Sequence, residues 1–231
     1  MQTGARLQYL AALGIDTWLP RQAMPNPAPL AEAALPEEGL SPDWQPLQTE
    51  VAACIKCDLH KTRTRTVFGV GNPQADWLVI GEAPGVEEDR KGEPFVGAAG
   101  QLLDAMLQAI GLARGKNVFI ANMLKCRPPG NRDPKPEEVL SCMPYLMRQI
   151  AAIKPKLILA VGRIAAQNLL ATEVPLGRLR GRVHHFGPAA TPLVVTYHPA
   201  YLLRTPSEKR KAWEDLKFAR DYFKQNFSAD Y

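Results

Sequence analysis

Four short runs of aliphatic residues constrain the fold of this chain more than any other feature of its sequence. They span residues 77–80, 118–121, 157–161 and 193–197. Continuous apolar runs of this length are typical of strands that are buried on both faces of a sheet. Segments with a helical spacing of apolar residues separate them. This alternation predicts an α/β fold in which helices cover both faces of a parallel sheet.

The predicted helices span residues 100–110, 136–153, 163–170 and 207–223, and the second of them begins with the helix-starting sequence Pro-Glu-Glu. A chain of 231 residues is long enough for one α/β core but short for two.

The sequence predicts four regions along the chain. Residues 1–22 form a peptide or short amphipathic helix, and residues 23–46 form a linker rich in Pro and Ala. Residues 47–223 form the globular domain, and residues 224–231 form a frayed tail.

Charge and motif content narrow the function. The net charge of +5 suggests an anionic partner, for which nucleic acid is the obvious candidate. No apolar run approaches the ~18–20 residues of a membrane span, and no secretory signal is evident, so we expect a soluble cytoplasmic protein. G-x-G-x-x-G, the nucleotide-binding phosphate loop and G-x-S-x-G are all missing, which disfavours hydride transfer, nucleotide hydrolysis and serine hydrolase chemistry.

The four cysteines of the chain have the spacing of a metal site: Cys54, Cys57, Cys126 and Cys142. An intracellular protein keeps such thiols reduced, which disfavours disulfides. A zinc ion or a 4Fe-4S cluster would accept four thiolates. Structural zinc sites usually close with a second tight Cys-x-x-Cys pair. The separation of the last two cysteines therefore favours iron–sulfur and leaves zinc open.

Polar residues follow the predicted strands. Glu82 lies in the loop Gly81-Glu-Ala-Pro-Gly85, and Asn122 and His198 each follow a strand. Ligands in parallel α/β folds bind beyond the carboxyl ends of the strands. A carboxylate, an amide and an imidazole could therefore converge there.

Together these motifs resemble those of family 4 uracil-DNA glycosylases, the iron–sulfur branch of the uracil-DNA glycosylase superfamily. The match comprises Gly81-Glu-Ala-Pro-Gly85 with Glu88-Asp89, Pro94-Phe-Val-Gly97, Asn122-Met-Leu-Lys-Cys-Arg-Pro-Pro129, His198-Pro-Ala-Tyr-Leu-Leu-Arg204 and the order of the cysteines. The resemblance implies a three-layer α/β/α fold with a four-stranded parallel sheet. It also implies a structural 4Fe-4S cluster on the four cysteines, and hydrolytic excision of uracil from DNA that leaves an abasic site.

The resemblance also implies roles for single residues. Glu82 would orient or deprotonate the attacking water, with Glu88 as the alternative ahead of Asp89. Asn122 would read the uracil edge, and His198 would donate to the uracil oxygen that gains charge. Three further residues would complete the uracil pocket: Phe95 by stacking, and Ala83 and Pro84 by their backbone.

The segment after His198 is expected to contact DNA. Tyr201 or Leu202 would fill the gap left by the flipped base, and Arg204 would hold a flanking phosphate. The basic run 61–65 could contact DNA as well or be a solvated loop.

The resemblance leaves three rival readings. In the first, as in one relative of the superfamily, a histidine attacks the sugar and stays covalently attached. The loop after Cys126 contains no histidine, so we expect turnover through water and not a covalent adduct. A neighbouring iron–sulfur branch accepts a wider set of damaged bases, but Glu82 replaces its apolar residue and argues for uracil. A non-catalytic nucleic-acid-binding module with zinc is the third reading.

Residues 9–21 resemble the N-terminal peptide of the psi subunit of a bacterial clamp loader, which suggests a replication partner. A helix that packs on its own domain is the competing interpretation. We expect the enzyme to be a monomer.

Overall fold

The computed structural model describes residues 44–227, and the predictions made for residues 1–43 lie outside this part of the chain. No helix among the described residues is long and apolar enough to cross a membrane. The helices and strands are, in chain order, α1 (Trp44–Ala52), β1 (Val70–Gly71), β2 (Trp77–Gly81), α2 (Val86–Lys91), α3 (Ala98–Gln108), β3 (Val118–Asn122), α4 (Pro136–Ile153), β4 (Leu157–Val161), α5 (Arg163–Leu169), α6 (Leu176–Leu179), β5 (Val183–Phe186), β6 (Thr191–Thr196), α7 (Pro199–Arg204) and α8 (Lys209–Phe227).

The strands form one mixed sheet in the order β1-β3-β2-β4-β6-β5. The four central strands are parallel to their central neighbours, and they are the four that the aliphatic runs predicted. Strands β1 and β5 add antiparallel edges, so the sheet has six strands and not four. Their sequences gave no strand signal because β1 is two residues long and β5 contains His184 and His185.

Helices cover both faces of the sheet, as the three-layer prediction requires. On β2, Leu78 and Ile80 pack into a core with residues of α1 and α4. The alternate residues Trp77 and Val79 pack into a second core with residues of α3 and α8. Successive side chains of a strand point to opposite faces, and both faces of β2 are buried. This double burial explains why its sequence is continuously apolar.

Both predicted domain boundaries need correction. Residues 44–46 begin helix α1 and are not linker. Trp44 is 1% exposed, and its ring stacks on Phe119 at a centroid distance of 5.4 Å. At the other end, residues 224–227 continue helix α8, since Phe227 packs on Phe223 at 5.3 Å. Aromatic packing extends the domain at each end.

Candidate active site

A cleft of about 580 Å³ opens beyond the carboxyl ends of β2, β3, β4 and β6. This is the place where ligands bind in open α/β sheets. Nine of the residues that the sequence predicted for uracil, water or DNA line it: Glu82, Ala83, Pro84, Glu88, Phe95, Asn122, His198, Tyr201 and Arg204. The structure therefore brings the separate motifs together in one site.

Asn122 ends strand β3 at the wall of the cleft and is buried. Its Oδ1 atom has no hydrogen-bond partner among the described residues. A Cβ atom on Gly81 would lie 2.4 Å from this oxygen and 2.6 Å from the Phe95 ring, so only glycine fits there. A buried acceptor without a partner costs about 1–3 kcal/mol. The position therefore suits a ligand that donates a hydrogen bond.

Phe95 and His198 form an aromatic wall of the cleft. Their ring centroids lie 5.6 Å apart, with 31° between the ring planes. Phe95 has φ 55°, a left-handed conformation that costs a non-glycine residue roughly 1–2 kcal/mol. Helix α3 supports this conformation by close contact, because a Cβ atom on Gly100 would lie 1.8 Å from the Phe95 carbonyl oxygen. Strain of this kind is typical of functional sites.

The structure assigns the tautomer of neutral His198. Its Nδ1 atom accepts a hydrogen bond from the Ala200 backbone N–H at 3.1 Å, so the proton is on Nε2. Burial lowers the pKa of His198 to about 4, and the positive charge of Arg204 adds to this while Glu88 opposes it. The neutral form therefore dominates at pH 7. Gly162 permits the packing, because a Cβ atom there would lie 2.9 Å from the His198 Cβ.

Glu82 follows β2 and is half-buried in the cleft. Burial raises its pKa to about 7, Asp133 raises it further by like-charge repulsion, and Arg163 lowers it. Its backbone oxygen accepts a hydrogen bond from the Leu124 N–H at 3.0 Å, which ties the loop to the turn after β3. A carboxyl that titrates near neutral pH suits general-base chemistry.

Glu88, the predicted alternative to Glu82, has its carboxylate engaged by the backbone. It accepts hydrogen bonds from the N–H groups of Gly85 at 3.1 Å, Val96 at 2.9 Å and Gly97 at 3.0 Å. Asp89 accepts the Thr64 N–H with both oxygens, at 2.9 and 3.0 Å. These geometries favour bracing of the cleft loops over contact with water for both carboxylates.

Helix α7 presents a different apolar residue from the one predicted. Leu202 is 1% exposed and packs inward, which argues against its use as a wedge. Leu203, which the sequence did not single out, is 44% exposed. Tyr201 lines the cleft, and its ring stacks on Tyr197 at 5.3 Å. Helical geometry explains the difference, since adjacent residues of a helix point in different directions.

Two charged residues at the mouth of the cleft were not predicted from the sequence. Arg163 donates to the Asp133 carboxylate at 2.6 Å, and both side chains line the cleft near Glu82. They are far apart in the chain, and neither lies in a recognised motif. Only their position after β4 and in the loop after β3 could have suggested them.

The four cysteines surround a second cavity beside α4: Cys54, Cys57, Cys126 and Cys142. Arg63 donates to the Cys126 sulfur at 3.3 Å, and the Lys125 backbone N–H donates to the Cys142 sulfur at 3.2 Å. Arg63, from the basic run considered for DNA contact, therefore faces the cysteines.

The chemistry of this cavity suits a metal centre. Burial raises the pKa of the Cys57 and Cys126 thiols, and it raises that of Cys142 to about 11. Such thiols ionise at neutral pH only beside a positive centre. Across residues 44–227, no three His, Cys, Asp or Glu side chains are arranged to hold a single metal ion. The four thiols that line this cavity are the residues that would hold a metal or iron–sulfur centre.

The comparisons with known proteins agree with the geometry. The family model described as the uracil DNA glycosylase superfamily matches residues 68–217, which is more than half of the chain. The type-5 uracil-DNA glycosylase of Thermus thermophilus is 31% identical over 151 residues, 58% of this chain and 68% of the relative.

Type-4 enzymes match more closely and over more of the chain. The type-4 uracil-DNA glycosylase of Archaeoglobus fulgidus is 50% identical over 175 residues, 73% of this chain and 87% of the relative. That of Thermotoga maritima is 40% identical over 179 residues, 76% of this chain and 92% of the relative. The resemblance found in the motifs is confirmed. The chain therefore belongs to the uracil-DNA glycosylase superfamily and, within it, to the type-4 family.

Proposed function

We propose that this uracil-DNA glycosylase excises uracil with Asn122, His198 and Glu82, by hydrolysis of the bond between the base and the deoxyribose. The observation that carries the assignment is the buried Asn122 oxygen, which has no partner among residues 44–227 and lies in the same cleft as the other two side chains. Uracil N3 carries a proton and cytosine N3 does not. An acceptor fixed at this place therefore favours uracil.

His198 acts on the leaving base. Cleavage moves negative charge onto the uracil ring, and a positioned N–H stabilises the oxygen that receives it. Nε2–H is the donor, because Nδ1 is engaged by the backbone of Ala200. A neutral imidazole fills this role without a proton transfer. Phe95, beside His198, stacks on the flipped base.

Glu82 acts on the sugar side. As a carboxylate it orients or deprotonates the attacking water and favours the positive charge that develops on the deoxyribose. Its pKa of about 7 keeps a basic fraction at neutral pH. No histidine is present in the loop after Cys126, so water completes the reaction and no covalent adduct forms.

DNA occupies the rim of the cleft. Flipping uracil out of the duplex costs a few kcal/mol, which contacts at the rim offset. Tyr201 and the exposed Leu203 are suited to fill the vacated stack, and the exposed Arg204 to contact a phosphate.

The cysteine cavity holds a 4Fe-4S cluster that serves as a structural staple. Four thiols line one cavity. The sequence lacks the second tight Cys-x-x-Cys pair with which structural zinc sites usually close, which favours iron–sulfur over zinc. Iron and sulfide analysis with a visible absorption spectrum tests this, and zinc without iron would contradict it.

The N-terminal docking hypothesis stays a prediction, since residues 1–43 lie outside the described part. The monomeric state stays a prediction as well. Deletion of residues 1–43 should preserve uracil release from naked DNA. Binding to clamp-loader subunits should weaken; unchanged binding would reject the docking hypothesis.

A uracil-release assay on oligonucleotides tests the central proposal, with hypoxanthine and thymine mismatches as competing substrates. Wild-type enzyme should release uracil. Asn122→Ala should lower kcat/KM for uracil roughly tenfold to a hundredfold, which corresponds to a loss of about 1–3 kcal/mol. An Asn122→Ala variant with wild-type selectivity and kcat/KM would refute the role of the amide.

A further inference from the structure

Lys125 is a buried lysine that the reaction described above does not use. It follows β3 by three residues and is 1% exposed. Its Nζ atom donates to the Asn122 carbonyl oxygen at 2.7 Å and to the Gln149 Oε1 at 2.6 Å. Lysine is almost never fully buried without a partner. Both of these acceptors are neutral groups, so the charge of Lys125 is held by a backbone carbonyl and a side-chain amide.

Gln149, a buried residue of helix α4, extends this contact by a further hydrogen bond. It is fully buried, and its Nε2 atom donates to the Phe68 carbonyl oxygen at 2.9 Å. That bond turns the Gln149 Oε1 atom toward Lys125. A continuous chain of hydrogen bonds therefore runs from Phe68 through Gln149 and Lys125 to the backbone of Asn122.

The turn that contains Lys125 joins three parts of the molecule. The Leu124 N–H donates to the Glu82 oxygen at 3.0 Å, and the Met123 N–H donates to the Gly81 oxygen at 3.0 Å. The Lys125 N–H donates to the Cys142 sulfur at 3.2 Å. Four residues thus connect the Glu82 loop, the Asn122 amide and the cysteine cavity.

We propose that Lys125 is a positioning residue for uracil recognition, which fixes the backbone of Asn122 against the cysteine cavity through its hydrogen bonds to Asn122 and Gln149. The inference rests on the function proposed above and adds the residue that sets the geometry of its base-reading amide. A shift of about 1 Å in such a group can lower the rate a hundredfold. A methionine of similar length would fill the space without holding the carbonyl.

The decisive variant is Lys125→Met, measured beside wild type and the exposed control Lys224→Met. We expect Lys125→Met to keep its iron content and visible spectrum, since the removed group is not a metal ligand. Its kcat/KM on a uracil oligonucleotide should fall at least tenfold. Lys125→Gln keeps a neutral donor at this position and should recover part of the loss. Lys224→Met should match wild type.

Several outcomes would overturn the inference. Lys125→Met with an intact cluster and kcat/KM within twofold of wild type would do so, as would a Lys125→Gln variant no better than Lys125→Met. Should Lys125→Met fail to fold, Gln149→Leu decides the matter in its place, because it removes one acceptor and leaves the lysine. A Gln149→Leu variant whose kcat/KM on uracil is within twofold of that of wild type would then reject the inference. A wild-type enzyme inactive on uracil would instead reject the proposed function itself.

Discussion

Burial sets the charge of the side chains in the cleft. It raises the pKa of Glu82 and lowers that of His198, and in both cases it favours the neutral form. The consequences differ because the pKa of His198 ends well below neutral pH, whereas that of Glu82 ends close to it. His198, at about 4, is a neutral donor throughout the physiological range. Glu82, at about 7, changes its charge within that range.

The activity of the enzyme should therefore follow the ionisation of Glu82. We expect kcat/KM for uracil release to rise as pH increases through about 7, because the carboxylate is the active form. Single-turnover rates between pH 5.5 and 9 would measure this. Glu82→Gln should lower the rate roughly 100-fold or more, and its rate should no longer rise with pH.

Two neighbours of Glu82 provide the control. Asp133→Asn removes a like charge and should move the midpoint of the profile to lower pH, whereas Arg163→Gln should move it to higher pH. A pH profile that persists unchanged in Glu82→Gln would assign the titration to another group.

At the scale of single elements, the sequence predicted what depends on burial and missed what depends on contacts. The central strands were predictable because both of their faces are buried, and helix 136–153 was predicted with its observed bounds. The bracing role of Glu88 was not predictable, since its bonds to Val96 and Gly97 form only when the loop folds back. The inward direction of Leu202 also depends on the orientation of α7, which its sequence leaves open.

Helix α1 is the element whose loss should affect both stability and the cysteine cavity. Its end is tied to Cys54, whose N–H donates to the Val51 oxygen at 3.2 Å. Trp44 anchors the helix in the core against Phe68 and Phe119. Trp44→Ala should lower the free energy of unfolding by about 3–5 kcal/mol and reduce the retained iron.

A second tryptophan provides a matched control for this prediction. Trp213 on α8 is 38% exposed, so Trp213→Ala should change the free energy of unfolding by only roughly 0.5 kcal/mol. Urea unfolding and iron analysis of both variants measure the difference. Equal destabilisation by the two changes would show that α1 is not anchored as described.

At the scale of the whole molecule, the cleft and the cysteine cavity depend on long-range assembly. Motifs that follow separate strands were assigned to one edge of the sheet because the carboxyl ends of parallel strands lie together. The ion pair of Arg163 with Asp133 joins α5 to the loop after β3 across 30 residues of sequence. No local pattern specifies such a pair. The sequence therefore predicted the members of the site better than the charges that tune it.

The cleft should lower the stability of the whole protein at alkaline pH. The folded pKa of Glu82 is about 7, above its ordinary value of 4.5, so the folded state binds the proton more tightly than the unfolded state. The contribution of this group to the free energy of unfolding is therefore fully present below about pH 4.5, and it is lost as pH rises through about 7. The shift corresponds to at most roughly 3 kcal/mol above pH 7.

Glu82→Gln removes this pH-dependent cost. Compared with wild type, the variant should gain up to about 3 kcal/mol in the free energy of unfolding at pH 8 and much less at pH 5. Glu93→Gln, at an exposed position, should give the same small difference at both pH values. Urea unfolding of the metal-loaded proteins at the two pH values measures the effect. A gain of equal size at pH 5 and pH 8 would mean that Glu82 does not titrate near neutral pH in the folded enzyme, and the role of its carboxylate as a pH-dependent base would fail with it.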